Sequence, residues 1–352
     1  MSDRSQAIRT LSSLGAKAAF GAIVVSSLIV AACGTTSGTG STTTGNASLQ
    51  ACTVAATDLA PKTTSAGTAT AVSGLSGQKL AVDGSSALQP LFKQAAAEFD
   101  KANGSITTVS AGGSGQGLKD VAAGAVQIGM SDVFASAKLA PDVAATLTDH
   151  QVGAVVFTLV VNNDLNGKVN NLTTQEIQDI FSGKTTNWSQ IGGPSEAVTV
   201  VNRPTTSGTR STFDKYVLKG VQEAGGTTLT QDNTGAVAQA VSQTPGSIGY
   251  VSIGFAASAQ YNTQLTPICI DGSKAVAADV NSGAYNFWGI EHAYTKGAAT
   301  GVAKALIQYV ESSQVQTNDL PSLSYLPISA VSATAVTAHT PSGAPAAESF
   351  YQ

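Results

Sequence analysis

The sequence predicts an α/β fold with largely parallel sheets, and three observations carry that expectation. Short apolar and β-branched runs alternate with helical patterns from residue 79 to about residue 313. Such alternation builds parallel sheets through helical crossovers. The run "VGAVVFTLVVNN" (152–163) is long and continuously apolar, as a strand covered on both faces would be. A chain of 352 residues has room for two domains, or for one domain of two lobes, around a sizeable core.

The elements follow in order. "KLAVDG" (79–84) reads as a strand. In "ALQPLFKQAAAEFDKANG" (87–104), Leu88, Leu91, Phe92, Ala95 and Phe99 recur at helical spacing, and Asn103-Gly104 is a stop. "ITTVSA" (106–111) is a strand, "GLKDVAAG" (117–124) a short helix and "VQIGMSD" (126–132) a strand. "TTQEIQDIFSG" (173–183) is a helix capped by Thr173 or Thr174. "AVTVVNR" (197–203) is a strand, and "SGTRSTFDKYVLKG" (207–220) a helix. "TGAVAQAVSQTPG" (234–246) is a helix, "SIGYVSIG" (247–254) a strand and "GVAKALIQYVESS" (301–313) a late helix. No internal repeat is present.

Both ends differ from this body. Arg4, Arg9 and Lys17 precede the apolar run "AAFGAIVVSSLIVAAC" (18–33), which is too short for a comfortable membrane span and reads as a signal peptide, residues 1–32. Its ending "VAAC" resembles the bacterial lipobox, in which the cysteine, here Cys33, is lipidated. An ordinary signal peptide or an uncleaved anchor are the alternatives. Losing Asp3, Arg4, Arg9 and Lys17 would take the net charge from −4 to −6. Residues 33–75 are rich in Gly, Ser, Thr and Ala and are expected to form a flexible tether. Residues 331–352 are expected to be a loose tail. Export permits disulfides, so Cys52 and Cys269 either pair or stay as two free thiols.

Charged residues make up only 11% of the chain, against roughly 25% in a typical domain. The net charge of −4 argues against nucleic acid as a partner. Three stretches share one local grammar of strand, small hydroxyl or glycine turn, then helix: "DGSSALQP" (83–90), "AGGSGQGLKD" (111–120) and "NRPTTSGTRS" (202–211). Helix starts present unpaired N–H groups and the positive end of the dipole, which suits an anion. Each turn alone reads equally as an ordinary helix cap. The recurrence, with Arg203 and Arg210 flanking the third, favours an oxyanion site. "GGSGQGLK" (112–119) misplaces the lysine and hydroxyl of a P-loop, and its glycines miss the dinucleotide spacing. The histidines, His150, His292 and His339, stand near no nucleophile motif, and Cys and His are too sparse for a zinc site. No metal, cofactor or catalytic residue is expected.

Taken with "QEIQDIFSGKTTNWSQIGG" (175–193), "GSIGYV" (246–251) and "YLPIS" (325–329), these turns occur in an order that resembles the phosphate-binding subunits of bacterial phosphate uptake ABC transporters, over roughly 78–330. The resemblance implies a two-lobed periplasmic-binding-protein type II fold with a ligand cleft between lobes, and no enzyme activity. Lobe 1 would hold 76–155 and 256–330, and lobe 2 would hold 156–255. It implies phosphate contacts from Ser86, the backbone N–H of Ala87, Ser114, Asp132, Arg203, Ser207, the backbone N–H of Gly208, and Thr209. Asp132 would accept the proton that hydrogen phosphate carries and sulfate lacks. Arg210 is either a second phosphate ligand or a surface ion pair. Trp188 reads as structural. Two departures stand out: Thr205 occupies a position where relatives often carry an acid that holds the arginine, and Ala87 stands where relatives can carry an aromatic.

The expected protein is a monomeric, lipid-anchored, extracytoplasmic binder that delivers inorganic phosphate to ABC permease subunits. The same scaffold taking sulfate, molybdate or arsenate is one alternative. An envelope phosphatase or serine hydrolase is a second, and a surface sensor or adhesin a third.

Overall fold

One long strand organises the molecule. The computed structural model describes residues 47–59, 68–224 and 228–350, so the signal peptide (1–32) and Cys33 lie outside the described residues. In chain order the strands are β1 (Lys79–Gly84), β2 (Ile106–Val109), β3 (Ile128–Ser131), β4 (Leu147–Asn162), β5 (Asn171–Leu172), β6 (Thr199–Asn202), β7 (Thr228–Thr230), β8 (Ser247–Ser252), β9 (Leu265–Ile270), β10 (Trp288–Lys296) and β11 (Tyr325–Leu326). The main path runs β2-β1-β3-β10-β4-β8-β6-β7. The sixteen residues of β4 serve both ends of it. Leu147–Val156 pairs with β10, and Phe157–Val161 pairs with β8. Every position of β4 from Val152 onward is buried, which is why its sequence carries no alternation.

The sheet is mixed rather than largely parallel. β2-β1-β3 and β8-β6-β7 are the parallel groups that the strand–helix alternation builds. Between them β10 runs antiparallel to both β3 and β4, and β4 runs antiparallel to β8. The strand β10, "WGIEHAYTK", mixes Trp, Gly, Glu and His without period because it is buried on both faces up to Thr295.

The helices grow from the strand ends. Gln89–Asn103 buries Leu91, Phe92, Ala95 and Phe99 on one face. Thr174–Phe181 starts from a reciprocal cap between Thr173 and Glu176. Gly208–Phe213 starts at Ser207, whose Oγ accepts the Arg210 N–H, and continues as a wider π turn over Asp214–Leu218. Thr234–Gln243 starts at Asn233, whose side chain accepts the Ala236 N–H. Trp188 is fully buried and donates its indole N–H to the Gly246 carbonyl at 2.9 Å.

The two end segments depart from the expectation of looseness. Within the expected tether, Leu49 is buried, its carbonyl accepts the Asn170 N–H, and Cys52 is bonded to Cys269 on β9. Asp58 pairs with Lys274 at 2.8 Å. Within the expected tail, Ala333–His339 is a helix, and His339 stacks between Tyr216 and Trp288 at ring-centroid distances of 4.0 and 3.9 Å. Further on, the Phe350 N–H donates to Glu311 at 2.7 Å, and its ring stacks on His150. Composition misleads here because a few anchors decide the matter. Leu49, Cys52, His339 and Phe350 sit in stretches whose average is Ala, Ser, Thr and Gly.

The disulfide closes a loop across 217 residues and ties the entry segment to the sheet. Replacing Cys52 and Cys269 together by serine is expected to lower the unfolding free energy by about 2–4 kcal/mol. Urea denaturation measures it, and a double variant as stable as the parent would remove that role.

Candidate oxyanion site

The turns singled out in the sequence meet at one place, where the parallel group β2-β1-β3 faces the parallel group β8-β6-β7. β1 ends in Gly84, whose φ of +137° and close approach to Met130 leave no room for a Cβ. Ser85 and Ser86 follow. The Ser85 Oγ accepts the N–H groups of Ala87 and Leu88 at 3.0 and 3.1 Å, so its own proton is free to go elsewhere, and it goes to Asp132 Oδ1. The Ser86 Oγ accepts the Thr234 N–H at 3.1 Å and lies 3.0 Å from the Thr234 hydroxyl.

The second turn brings Ser114, the first residue of helix Ser114–Ala123. Its Oγ accepts the Asp132 N–H at 3.1 Å. Asp132 follows β3 and is 3% exposed. Its Oδ2 accepts the Thr209 hydroxyl at 2.9 Å. One carboxylate therefore takes hydroxyl protons from both strand groups. Burial raises the Asp132 pKa, against the lowering effect of Ser85, Thr209 and the Arg203 charge.

The third turn brings Arg203, 1% exposed. Its Nη2 donates to the Asp232 carbonyl at 3.0 Å and to Ser86 Oγ at 3.3 Å, and its Nη1 donates to Thr234 Oγ1 at 3.3 Å. No acid stands at Thr205, and neutral oxygens orient the guanidinium instead. Its Nε is buried with no acceptor. Gly208 packs directly on Ser114. A Cβ there would lie 2.3 Å from Ser114 Oγ and 3.1 Å from Asp132 Cβ. Beside it the Gly115 N–H donates to the Thr206 carbonyl at 2.9 Å. Lys138 reaches across the same seam to the carbonyls of Thr205 and Ser207 and the hydroxyl of Ser211, at 2.6, 3.1 and 2.5 Å.

Ser86, Ser114, Asp132, Arg203, Gly208 and Thr209 thus form one buried cluster. Ser207 caps the helix behind it. Ala87 stands at the edge, with its N–H donated to Ser85 rather than inward. Arg210 turns away. Its guanidinium meets Glu223 at 3.2 Å and Asp214 at 3.6 Å, and donates to the Arg203 carbonyl at 2.5 Å. It braces the backbone of Arg203 from behind. Burial raises the Glu223 pKa to about 7 even with Arg210 beside it.

The sequence reading missed Ser85, Thr234 and Lys138, and also Glu291, a buried acid on β10 next to Asp132. Thr234 had a usable signal, since "DNTGAVAQ" has the same turn-into-helix grammar as the other three turns. Ser85 and Ser86 are adjacent hydroxyls, and only the fold decides which one meets Asp132. Lys138 and Glu291 lie in no motif. Chemically the cluster offers hydroxyl donors and the buried cation Arg203 around the buried carboxylate of Asp132.

Comparison with known proteins identifies the family and the fold. The PBP superfamily domain matches residues 30–314. The phosphate-binding protein PstS of Bacillus subtilis (strain 168) is 42% identical over 250 residues, covering 71% of this chain and 80% of that protein. Among solved structures, a substrate-binding protein with bound phosphate from Clostridium perfringens superposes with a TM-score of 0.63 at 23% identity, over 71% of this chain and 99% of that one. An ABC-type phosphate transport receptor from Vibrio cholerae superposes with a TM-score of 0.55 at 20% identity, over 70% of this chain and 99% of that one. By sequence and by fold, the chain belongs to the PBP superfamily, within the PstS family of phosphate-binding proteins.

Proposed function

We propose that this protein captures inorganic phosphate, as hydrogen phosphate, outside the cytoplasm and delivers it to an ABC permease, without doing chemistry on it. The observation that carries the reading is Asp132. A buried carboxylate beside an anion site repels its ligand, unless the ligand brings a proton for it to accept. Hydrogen phosphate brings one, and sulfate at neutral pH does not. The rest of the cluster supplies what the remaining oxygens need. Arg203 offers a planar fork with an unused buried Nε. Ser86, Ser114 and Ser207 offer hydroxyls, and Thr209 and the Gly208 N–H join them once the seam between Gly208 and Ser114 opens. Thr234, hydrogen-bonded to both Arg203 and Ser86, joins the set. The Ala87 N–H joins it only if Ser85 releases it.

In this reading the two strand groups belong to separate lobes, 76–155 with 256–330 and 156–255. Phosphate draws donors from both and so favours closure by a hinge motion. Lipidation at Cys33 would hold a monomer at the membrane, near the permease.

Calorimetry of phosphate against sulfate on ligand-stripped protein tests the ligand. Absence of phosphate binding would end the proposal. Arg203→Lys keeps the charge and loses the fork, and is expected to weaken phosphate by about 1.5–3 kcal/mol, roughly ten- to hundred-fold. Asp132→Asn is expected to narrow the phosphate-to-sulfate gap about tenfold or more, a loss of about 1.4 kcal/mol of discrimination. Acidification works in the same direction. Asp132 discriminates only while ionised, so selectivity falls as pH drops through its raised pKa. Selectivity that stays constant on acidification would contradict the role of Asp132. Gly208→Ala places a methyl against Ser114 and should push the seam apart. Amide exchange at Gly115, whose N–H bonds Thr206, is expected to quicken about tenfold or more, equivalent to about 1.4 kcal/mol. Unchanged exchange would show that Gly208 tolerates the side chain.

A further inference from the structure

Beside Asp132, on the neighbouring strand, stands a second acid that the ligand set does not include. Glu291 stands on β10 and is 0% exposed. A register shift separates it from His292, which turns to Asp149 at 2.8 Å. β10 runs antiparallel to β3 with His292 opposite Ser131, so the next position sets Glu291 beside Asp132, and the two carboxyls act on one another. Neither of its oxygens receives a hydrogen bond, and among the described residues no Lys or Arg forms an ion pair with it. The titratable groups around it are Asp132, beyond β3, and the Tyr325 phenol on β11. On β4 its partner is Gly153, which carries no charge. The Tyr325 hydroxyl donates to the Ala87 carbonyl, so its proton is engaged elsewhere. Arg203 is the cation that favours ionisation of Asp132.

Two ionised carboxylates cannot share this pocket. Burial penalises each charge, and like charges in contact penalise the pair further. Arg203 can balance one of them. Asp132 is the one placed to stay ionised, because Ser85 and Thr209 donate to it and Arg203 lies near. Glu291 has none of these partners. Its buried, donor-free oxygens make sense only if it carries a proton and is itself the donor.

We infer that Glu291 is a positioning residue for the oxyanion site, held as the neutral acid and donating its proton to Asp132. The inference rests on the phosphate reading above for its consequence, though not for the protonation state itself. Glu291 gives Asp132 a third donor and leaves the remaining acceptor direction of the carboxylate open to the proton of the ligand. It thereby works against the burial that raises the Asp132 pKa. It also adds no charge that would repel a dianion. Glu291 therefore sets the lower pH limit of anion discrimination without touching the anion.

Infrared difference spectra on ligand-stripped protein, at neutral and mildly alkaline pH, read the proton directly. The parent is expected to show the carbonyl stretch of a neutral buried carboxyl, and Glu291→Gln is expected to lose it. Spectra of parent and variant without that difference would overturn the inference, whatever the protein binds. The consequence is read from the pH profile of phosphate against sulfate affinity. Glu291→Leu removes the donor, so the loss of discrimination on acidification should begin at higher pH, with sulfate bound about tenfold more tightly near the new limit. Glu291→Gln keeps a neutral donor and should restore the parent profile. A Leu profile equal to that of the parent, or a Gln profile equal to that of Leu, would overturn the positioning role. Should Glu291→Leu fail to fold, the Gln variant and the spectra still decide. Failure of the parent to bind phosphate at all would instead count against the phosphate reading and leave the spectral test standing.

Discussion

A buried carboxylate has to be solvated by the protein, and the way Asp132 is solvated decides how the rest of this molecule is built. Its two oxygens take hydroxyl protons from Ser85 and Thr209, and its N–H goes to Ser114. Those three residues come from three different turns, and Thr209 comes from the far strand group. To bring them together, β1, β3 and β6 must end at one seam. The long strand β4 makes that possible, because it pairs with β10 along its first half and with β8 along its second. The close approach of Gly208 to Ser114 leaves no space for any larger residue between the strand groups.

Arg203 is the complement of Asp132. Its fork is held by a backbone carbonyl and two hydroxyls, not by the acid that the position of Thr205 lacks. Neutral acceptors orient a guanidinium without cancelling its charge, so most of the positive field remains for an anion. Arg210 and Glu223 support this from behind, through the Arg203 carbonyl and the Tyr250 hydroxyl that accepts the Arg203 N–H. The two arginines that bracket one turn therefore have separate tasks.

Much of the fold was legible because its signals are local. The cap at Thr173, the apolar face of Gln89–Asn103 and the unbroken apolar run of β4 each follow from neighbouring residues. The antiparallel insertion of β10 was not legible, since a strand buried on both faces with Glu291 and His292 in it has no period to read. The same applies to the site. Hydroxyl turns entering helices pointed to the three stretches and to Arg203, and resemblance chose Ser86, Ser114 and Ser207 within them and added Asp132. Resemblance chose Ser86 and passed over Ser85, whose hydroxyl is the one that meets Asp132. Lys138 and Glu291 act through long-range packing, and composition hid the anchors at Leu49 and His339.

The most direct test of this account is the structure of the protein crystallised with phosphate. The account predicts the anion between the two strand groups, with one Asp132 oxygen at a short hydrogen-bond distance, about 2.5–2.7 Å, from a phosphate oxygen. Ser85 should still donate to the carboxylate, and the Arg203 fork should lie on the anion's opposite side. A phosphate bound away from Asp132, or one that meets only cations and N–H groups while Asp132 faces elsewhere, would contradict it.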